Sequence, residues 1–210
     1  MIRSAPPGSD LAPRVREATV ADVPGLASLL ITSFPGVSLR AVGLQPIRSQ
    51  VWWQSVLERT WGCGDWLVIE REEGSLSGMG WLATEPGANP LVSMDSCREF
   101  PGTIKGYWRC WKLGQLKAPA LEPGEAYLDW MAIAPEWRRA GFGHKLLEAI
   151  VGFAQIRGAP ALKLDVETAN APAITLYQQS GFRVSGTHWK PMLTVLYGCG
   201  QLTNMVRDLT

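Results

Sequence analysis

The chain has little of what a metal centre is built from. His144 and His188 are its only imidazoles, and its four cysteines, Cys63, Cys97, Cys110 and Cys199, lie far apart. No pair stands at metal-ligand spacing, so no metal site is expected. An excess of charge is also missing: 20 Lys and Arg oppose 19 Asp and Glu, and neither sign forms a long run. That removes the electrostatic footprint of nucleic-acid binding and of a polybasic membrane anchor. No stretch reaches the ~20 apolar residues of a membrane span. Met1 to Pro13 holds Pro6, Pro7, Gly8 and Pro13 but no apolar segment of the secretory kind. It is expected to be a flexible tail on a cytoplasmic protein whose thiols stay reduced and pack as small hydrophobes.

Apolar residues make up 46% of the 210 positions, enough for a real core. One domain is therefore expected over residues 14–210. A short strand, Arg14 to Ala18, precedes Thr19-Val20-Ala21-Asp22, where a hydroxyl and an acid three residues on mark a helix start. Val23, Leu26, Leu29 and Leu30 give that helix one apolar face. A second helix is expected from about Pro46 to Thr60. Strands at Trp66 to Glu70 and Leu76 to Thr84 flank the turn Glu72-Glu73-Gly74-Ser75, the signature of a hairpin. Prolines and glycines then break residues 87–124, read as an insertion over the core around a helix expected near Thr103 to Leu116.

From Ala126 the pattern sharpens. A strand to Ala134 leads through Pro135 into a helix from about Gly141, with Leu146, Leu147, Ile150 and Phe153 at helical spacing. Arg157-Gly158 closes that helix. The strand Ala161 to Val166 follows, then Asn170 as a helix cap with Pro172 in the first turn. Strand, helix, strand in this order is a βαβ crossover, so the two strands are expected to be parallel. Strands at Phe182 to Thr187 and Leu202 to Leu209, joined by a loop, end the chain.

Gly141 and Gly143 stand where a strand has ended and a helix begins, so main-chain N–H groups can face an anion there. Spacing discriminates among glycine loops. A dinucleotide loop needs a small residue at position 146, which is Leu146. A nucleoside-triphosphate loop needs lysine directly after its last glycine, whereas Gly143 is followed by His144. What fits is a basic residue, two residues, glycine, any residue, glycine, after an apolar strand end and proline: Met131-Ala132-Ile133-Ala134-Pro135-Glu136-Trp137-Arg138-Arg139-Ala140-Gly141-Phe142-Gly143. With Leu164-Asp165-Val166 closing a strand, Asn170 opening a helix, and Leu176-Tyr177 before Gly181-Phe182, the chain resembles the GNAT superfamily of acyl-CoA-dependent N-acetyltransferases. The resemblance also touches Arg16 to Asp22 and Gly78, and so covers most of the chain outside residues 87–124.

The resemblance implies an α/β (α+β) fold, a mixed, mostly antiparallel sheet of six or seven strands flanked by helices, with splayed central strands. It implies acetyl-CoA as acyl donor and direct transfer to an amine acceptor, expected to be a small molecule. Arg138, Arg139, Ala140, Gly141, Phe142, Gly143 and His144 would then surround the pyrophosphate. Met131, Ala132 and Ile133 would bond the pantetheine arm by their backbone, and Asn170 would touch the cofactor from its helix start. Tyr177 would protonate the departing thiolate, a task suited to a phenol of ordinary pKa near ~10.

The attacking amine must be neutral, which calls for a carboxylate to take its proton. Asp165 and Asp129 are both candidates. Alternation along the strand puts Tyr127, Asp129 and Met131 on one face, while Asp165 matches the place where one branch of the family carries its acid. His144 is read as a helix-start residue near phosphate and His188 as a loop residue. Ten tryptophans are expected mostly in the core or at its rim, with Trp108 and Trp111 as candidates for an acceptor pocket. A non-catalytic CoA-binding module, a protein N-terminal or lysine acetyltransferase, and a longer acyl donor stay open as alternatives. The expected assembly is a monomer or a homodimer.

Overall fold

The structure, a computed structural model, describes residues 13–37, 46–71, 74–84 and 124–209, with single positions at 108, 111, 112, 115 and 121. The expected tail up to residue 12, most of the insertion and most of the helix expected near Thr103 to Leu116 lie outside the described residues; Trp108, Trp111 and Lys112 within that span are helical. In chain order the elements are β1 (Arg14–Glu17), α1 (Val23–Ser33), α2 (Pro46–Arg59), β2 (Asp65–Glu70), β3 (Leu76–Ala83), β4 (Ala126–Ile133), α3 (Phe142–Ile156), β5 (Ala161–Glu167), α4 (Ala171–Gln179), β6 (Arg183–Trp189), α5 (Pro191–Tyr197) and β7 (Gln201–Asp208). The expected boundaries hold within about two residues, except in the segment between β6 and β7. That segment was expected to be loop and contains α5. Its apolar Leu193 and Tyr197 are buried against the core, so Pro191 opens a short helix where proline was read as a breaker.

The seven strands form one sheet in the order β1-β2-β3-β4-β5-β7-β6, antiparallel at every step except β4 against β5. On one face α1, α2 and α5 enclose a core that includes Trp52, Trp53, Trp66, Trp81 and Trp130; on the other, α3 and α4 cover Leu82, Leu128, Leu162 and Leu164. Gly80 lets α3 come close, since a Cβ there would stand 2.4 Å from Ile150 Cδ1. Tryptophan follows its expected distribution: five of the ten are buried, while Trp108, Trp111 and Trp189 are exposed.

The entry to α1 is fixed by an ion network. Arg16 on β1 donates to both carboxylate oxygens of Asp22 at 2.7 and 2.8 Å, and to both of Glu70 on β2 at 2.7 and 3.1 Å. Asp22 also accepts the Thr19 N–H at 2.7 Å, as in a capping box. The Arg16 hydrogen bonds hold the Asp22 carboxyl down at about 2, against desolvation. A depressed carboxyl stabilises the fold above its unfolded pKa and ceases to do so as pH falls through the folded one. Asp22→Asn is therefore expected to cost about 2 kcal/mol at pH 7, with the gap closing between pH 4 and 2. Urea midpoints of both proteins across that range measure it.

Candidate active site between two parting strands

The parallel ladder between β4 and β5 is short. Ala126, Tyr127 and Leu128 pair with Leu162, Lys163 and Leu164, and the pairing stops there, although β4 runs five residues further. On the far side of β5, β7 stays paired through Glu167. The strands therefore part beyond Leu128 and Leu164. At that point the partner of β4 also slips: Trp81 opposes Trp130 and Leu82 opposes Leu128, leaving Asp129 as the extra residue of a β-bulge. The bulge overturns the expected alternation. Tyr127 faces the α1 and α5 side, whereas Met131 faces the α3 and α4 side, because one inserted residue reverses the parity of the strand.

Beyond the bulge, the Ala134 N–H bonds to Ser77 on β3. By two-residue alternation Ala132 also turns its main-chain groups to β3, and Met131 and Ile133 turn theirs to the gap. The Ile133 carbonyl there accepts the Arg138 Nε–H at 3.0 Å. Of the three residues expected to bond a ligand through their backbone, two are so directed and Ala132 is not.

The gap opens into a cavity of about 1080 Å³. Its wall includes Met131, Ala132, Ile133, Arg138, Arg139, Gly141, Gly143, His144, Asn170 and Tyr177, ten of the residues singled out from the sequence. The loop before α3 carries two left-handed residues, Arg139 at φ 67° and Gly141 at φ 83°. Such a bend turns the unpaired N–H groups of the first helical turn outward, where the helix dipole favours an anion. Ala140 and Phe142 are not on the wall. Phe142 instead stacks on Trp137, centroids 5.6 Å apart, and the Arg71 guanidinium lies 3.6 Å over the Trp137 ring. This stack ties the loop to the β2–β3 hairpin.

Asn170 caps α4 by accepting the Ala173 N–H at 3.3 Å. Two turns on, Tyr177 reaches from α4 to β4, with its hydroxyl 4.0 Å from Met131 Sδ. Burial pushes this phenol up to about 12, so it keeps its proton throughout the neutral range. The His144 ring approaches Ser180 Oγ at 3.4 Å. Ser33 and Phe34, at the end of α1, line the opposite rim. No motif marks them in the sequence: they reach the cavity only because α1 packs across the splay, with Phe34 edge-on to Trp130 at 4.9 Å.

Asp129 and Asp165 stand apart from that wall. Asp165 alternates against the buried Leu164 and Val166, so it shares the α1 and α5 side of the sheet with Tyr127. It accepts the Asn204 amide N–H of β7, and His188 Nε2 lies 3.8 Å from its other oxygen. His188 is thus a β6 strand residue facing a carboxylate, not the loop residue expected. Asp129 as a residue keeps partial exposure, but its Oδ2 is buried without a hydrogen-bond partner among the described residues. Burial raises its carboxyl to about 7, and the Asp165 charge adds to the shift; the Trp130 indole N–H, near but outside hydrogen-bonding geometry, and Lys190 oppose it. Burial, helped by the charges of both aspartates, also pushes the Tyr127 phenol well up. Trp108 and Trp111 stack on each other at 4.7 Å and do not line the cavity. Among the described residues no group of side chains could hold a metal ion, and no helix is long and apolar enough to cross a membrane.

Residues 45–182 match the family described as Acetyltransferase (GNAT) family. Ribosomal protein bS18-alanine N-acetyltransferase from Escherichia coli strain K12 is 41% identical over 58 residues, 28% of this chain. Streptothricin acetyltransferase from Streptomyces lavendulae is 43% identical over 59 residues, again 28% of this chain. The matches span only 39% and 31% of the lengths of those relatives. The crystal structure of the Escherichia coli ribosomal-protein-S18-alanine N-acetyltransferase superposes with a TM-score of 0.59 at 16% identity, over 95% of both chains. A structure from Salmonella typhimurium, described as an acetyltransferase with its cofactor acetyl-CoA, gives 0.56 at 15% identity, again over 95% of each chain. At such identities the likeness is one of fold.

The raised Asp129 carboxyl sets a pH dependence. Its proton is held more tightly in the folded chain than in the unfolded one, so stability is lost as pH rises from about 4 through 7. Asp129→Asn cannot ionise. Over that interval it is expected to gain on the wild type by up to about 4 kcal/mol, then run parallel above pH 8. Denaturant unfolding at pH 5 and pH 8 tests this, and equal differences at the two values would refute it.

Proposed function

The chain belongs to the acetyltransferase (GNAT) family, and on that premise we propose that it moves an acetyl group from acetyl-CoA to an amine by direct attack. The observation that carries this reading is the one cavity wall shared by the α3 loop, the open edge of β4 and Tyr177. These residues fit the donor part by part. N–H groups at the α3 start suit a diphosphate, and the gap-facing main chain of Met131 and Ile133 suits the amides of a pantetheine arm. Around the phosphates, Arg138, Arg139, Gly141, Gly143 and His144 supply the cradle, Ala140 and Phe142 hold its shape from off the wall, and Asn170 stands at the start of α4.

The two faces of the sheet divide the chemistry. On the α1 and α5 side, Asp165 and Asp129 form a carboxylate pair that receives the proton of an incoming ammonium. A carboxyl near 7 suits this, since it can exchange a proton at neutral pH. On the opposite face, the Tyr177 phenol protonates the sulfur that leaves. The amine thus enters from one side of the gap and the thiolate departs toward the other, and no covalent enzyme intermediate is needed. Among the relatives, one is named for an alanine of ribosomal protein bS18 and another for streptothricin. The reading for this chain is a small-molecule amine, with a protein amine as the second acceptor to test.

Thiol release from acetyl-CoA over an amine panel tests the activity; binding of CoA without turnover on any amine would instead support a non-catalytic module. Tyr177→Phe is expected to lower kcat about a hundredfold, with KM for acetyl-CoA changed by less than about twofold. A parallel loss of both would mean that the ring only shapes the cavity.

A further inference from the structure

We infer that His188, held by Asn204, carries away the proton that Asp165 takes from the acceptor, so that β5, β7 and β6 form a proton exit from the site. The inference rests on the proposed acetyl transfer and adds to it a positioning residue that acts through Asp165.

Hydrogen-bond polarity fixes the orientation of the chain of groups. An ionised carboxylate only accepts, so the Asn204 Nδ2–H must face Asp165 Oδ1, as it does. The other end of that amide, Oδ1, is an acceptor and lies 2.9 Å from His188 Nδ1. His188 must therefore carry its proton on Nδ1. That leaves Nε2 without a proton, 3.8 Å from Asp165 Oδ2. The two atoms stand just beyond hydrogen-bonding range, and a closure of about 1 Å brings them within it once either carries the proton. Exposure rises along the path: the Asp165 side chain is 10% exposed and the His188 side chain 33%. The register supports the path, since Asp165 pairs with Asn204 on β7, and His188 on β6 opposes Leu202, two residues from Asn204 and on the same face of the sheet.

The protons balance. An acceptor ammonium gives one N–H proton to the Asp165 carboxylate, forming O–H. That proton passes to His188 Nε2, whose imidazolium loses it to water, and Asp165 is again anionic. As the amine attacks and the C–S bond breaks, Tyr177 gives its phenolic proton to sulfur. The amide nitrogen sheds its second proton, which restores the Tyr177 phenol. One proton leaves per turnover, by way of His188. The other titratable groups facing this path are Tyr127 and Asp129 on β4 and Lys190 just past β6. The hydrogen bonds that join Asp165 to Asn204 and Asn204 to His188 involve none of them.

Two measurements test the exit. With only two histidines in the chain, ¹⁵N imidazole spectra resolve His188 against a His144→Gln control. The neutral ring is expected as the Nδ1–H tautomer, shifting toward Nε2–H in Asn204→Leu; an Nε2–H ring in the wild type overturns the inference. In turnover, His188→Gln keeps a hydrogen bond to Asn204 but cannot titrate. It is expected to lower kcat about tenfold at pH 7 with KM for acetyl-CoA unchanged, to recover as pH rises and free amine becomes abundant, and to be rescued in part by added imidazole. A wild-type profile in His188→Gln, or a loss equal at every pH, overturns the exit. A wild-type protein that turns over no amine defeats the acetyltransferase reading, and the exit with it.

Discussion

Everything in this molecule follows from three backbone pairs. β4 and β5 hold together through Leu128 and Leu164 and no further, so two central strands that a parallel sheet would normally close are left open. Opening a sheet in its interior exposes main-chain donors and acceptors that must find partners elsewhere. Here the flanking structure absorbs the cost. β3 keeps β4 paired on one side through Ile133, β7 keeps β5 paired on the other, and α3 and α4 seal one face with a leucine-rich core. The gap persists because every surrounding element is anchored to something other than the strand across it.

The bulge at Asp129 gives the gap its chemistry. In a regular strand Asp129 would alternate with Trp130 and face one core or the other. As the extra residue it keeps a carboxylate at the point of parting, with one oxygen buried and without a hydrogen-bond partner among the described residues, within reach of the Asp165 charge. Burial first, and the nearby Asp165 charge after it, make the Asp129 carboxyl hold its proton more tightly. The same displacement sends Trp130 toward Phe34 and α1, and Met131 toward Tyr177. One inserted residue thus sets Tyr127 and Met131, which regular alternation would put on one face, on opposite faces of the site.

Much of this was legible from residue order. Helical spacing at Leu146, Leu147 and Ile150, the Asn170 cap and the two glycines at 141 and 143 report local rules, and each element formed where those rules placed it. The alternation of Tyr127, Asp129 and Met131 failed because a bulge is a property of a strand pair, and nothing in β4 alone announces that β3 will slip beside it. His188 was misread for a similar reason. Its environment is made by Asn204 and Asp165, 16 and 23 positions away in sequence and joined to it only through the register of β7. The segment holding α5 was misread because Pro191 and Gly198 look like breakers, whereas burial of Leu193 and Tyr197 makes them helix ends.

The aromatic pile beside the α3 loop links places that share no ligand. Arg71 belongs to the end of β2, yet its guanidinium clamps Trp137, and Trp137 in turn braces Phe142 at the first residue of α3. The loop's left-handed shape is thus underwritten by a distant hairpin and not by its own residues alone. Drift in the hairpin's composition becomes a dial on how stiffly the anion cradle is held, allowing donor affinity to be retuned while the residues around the cavity stay unchanged.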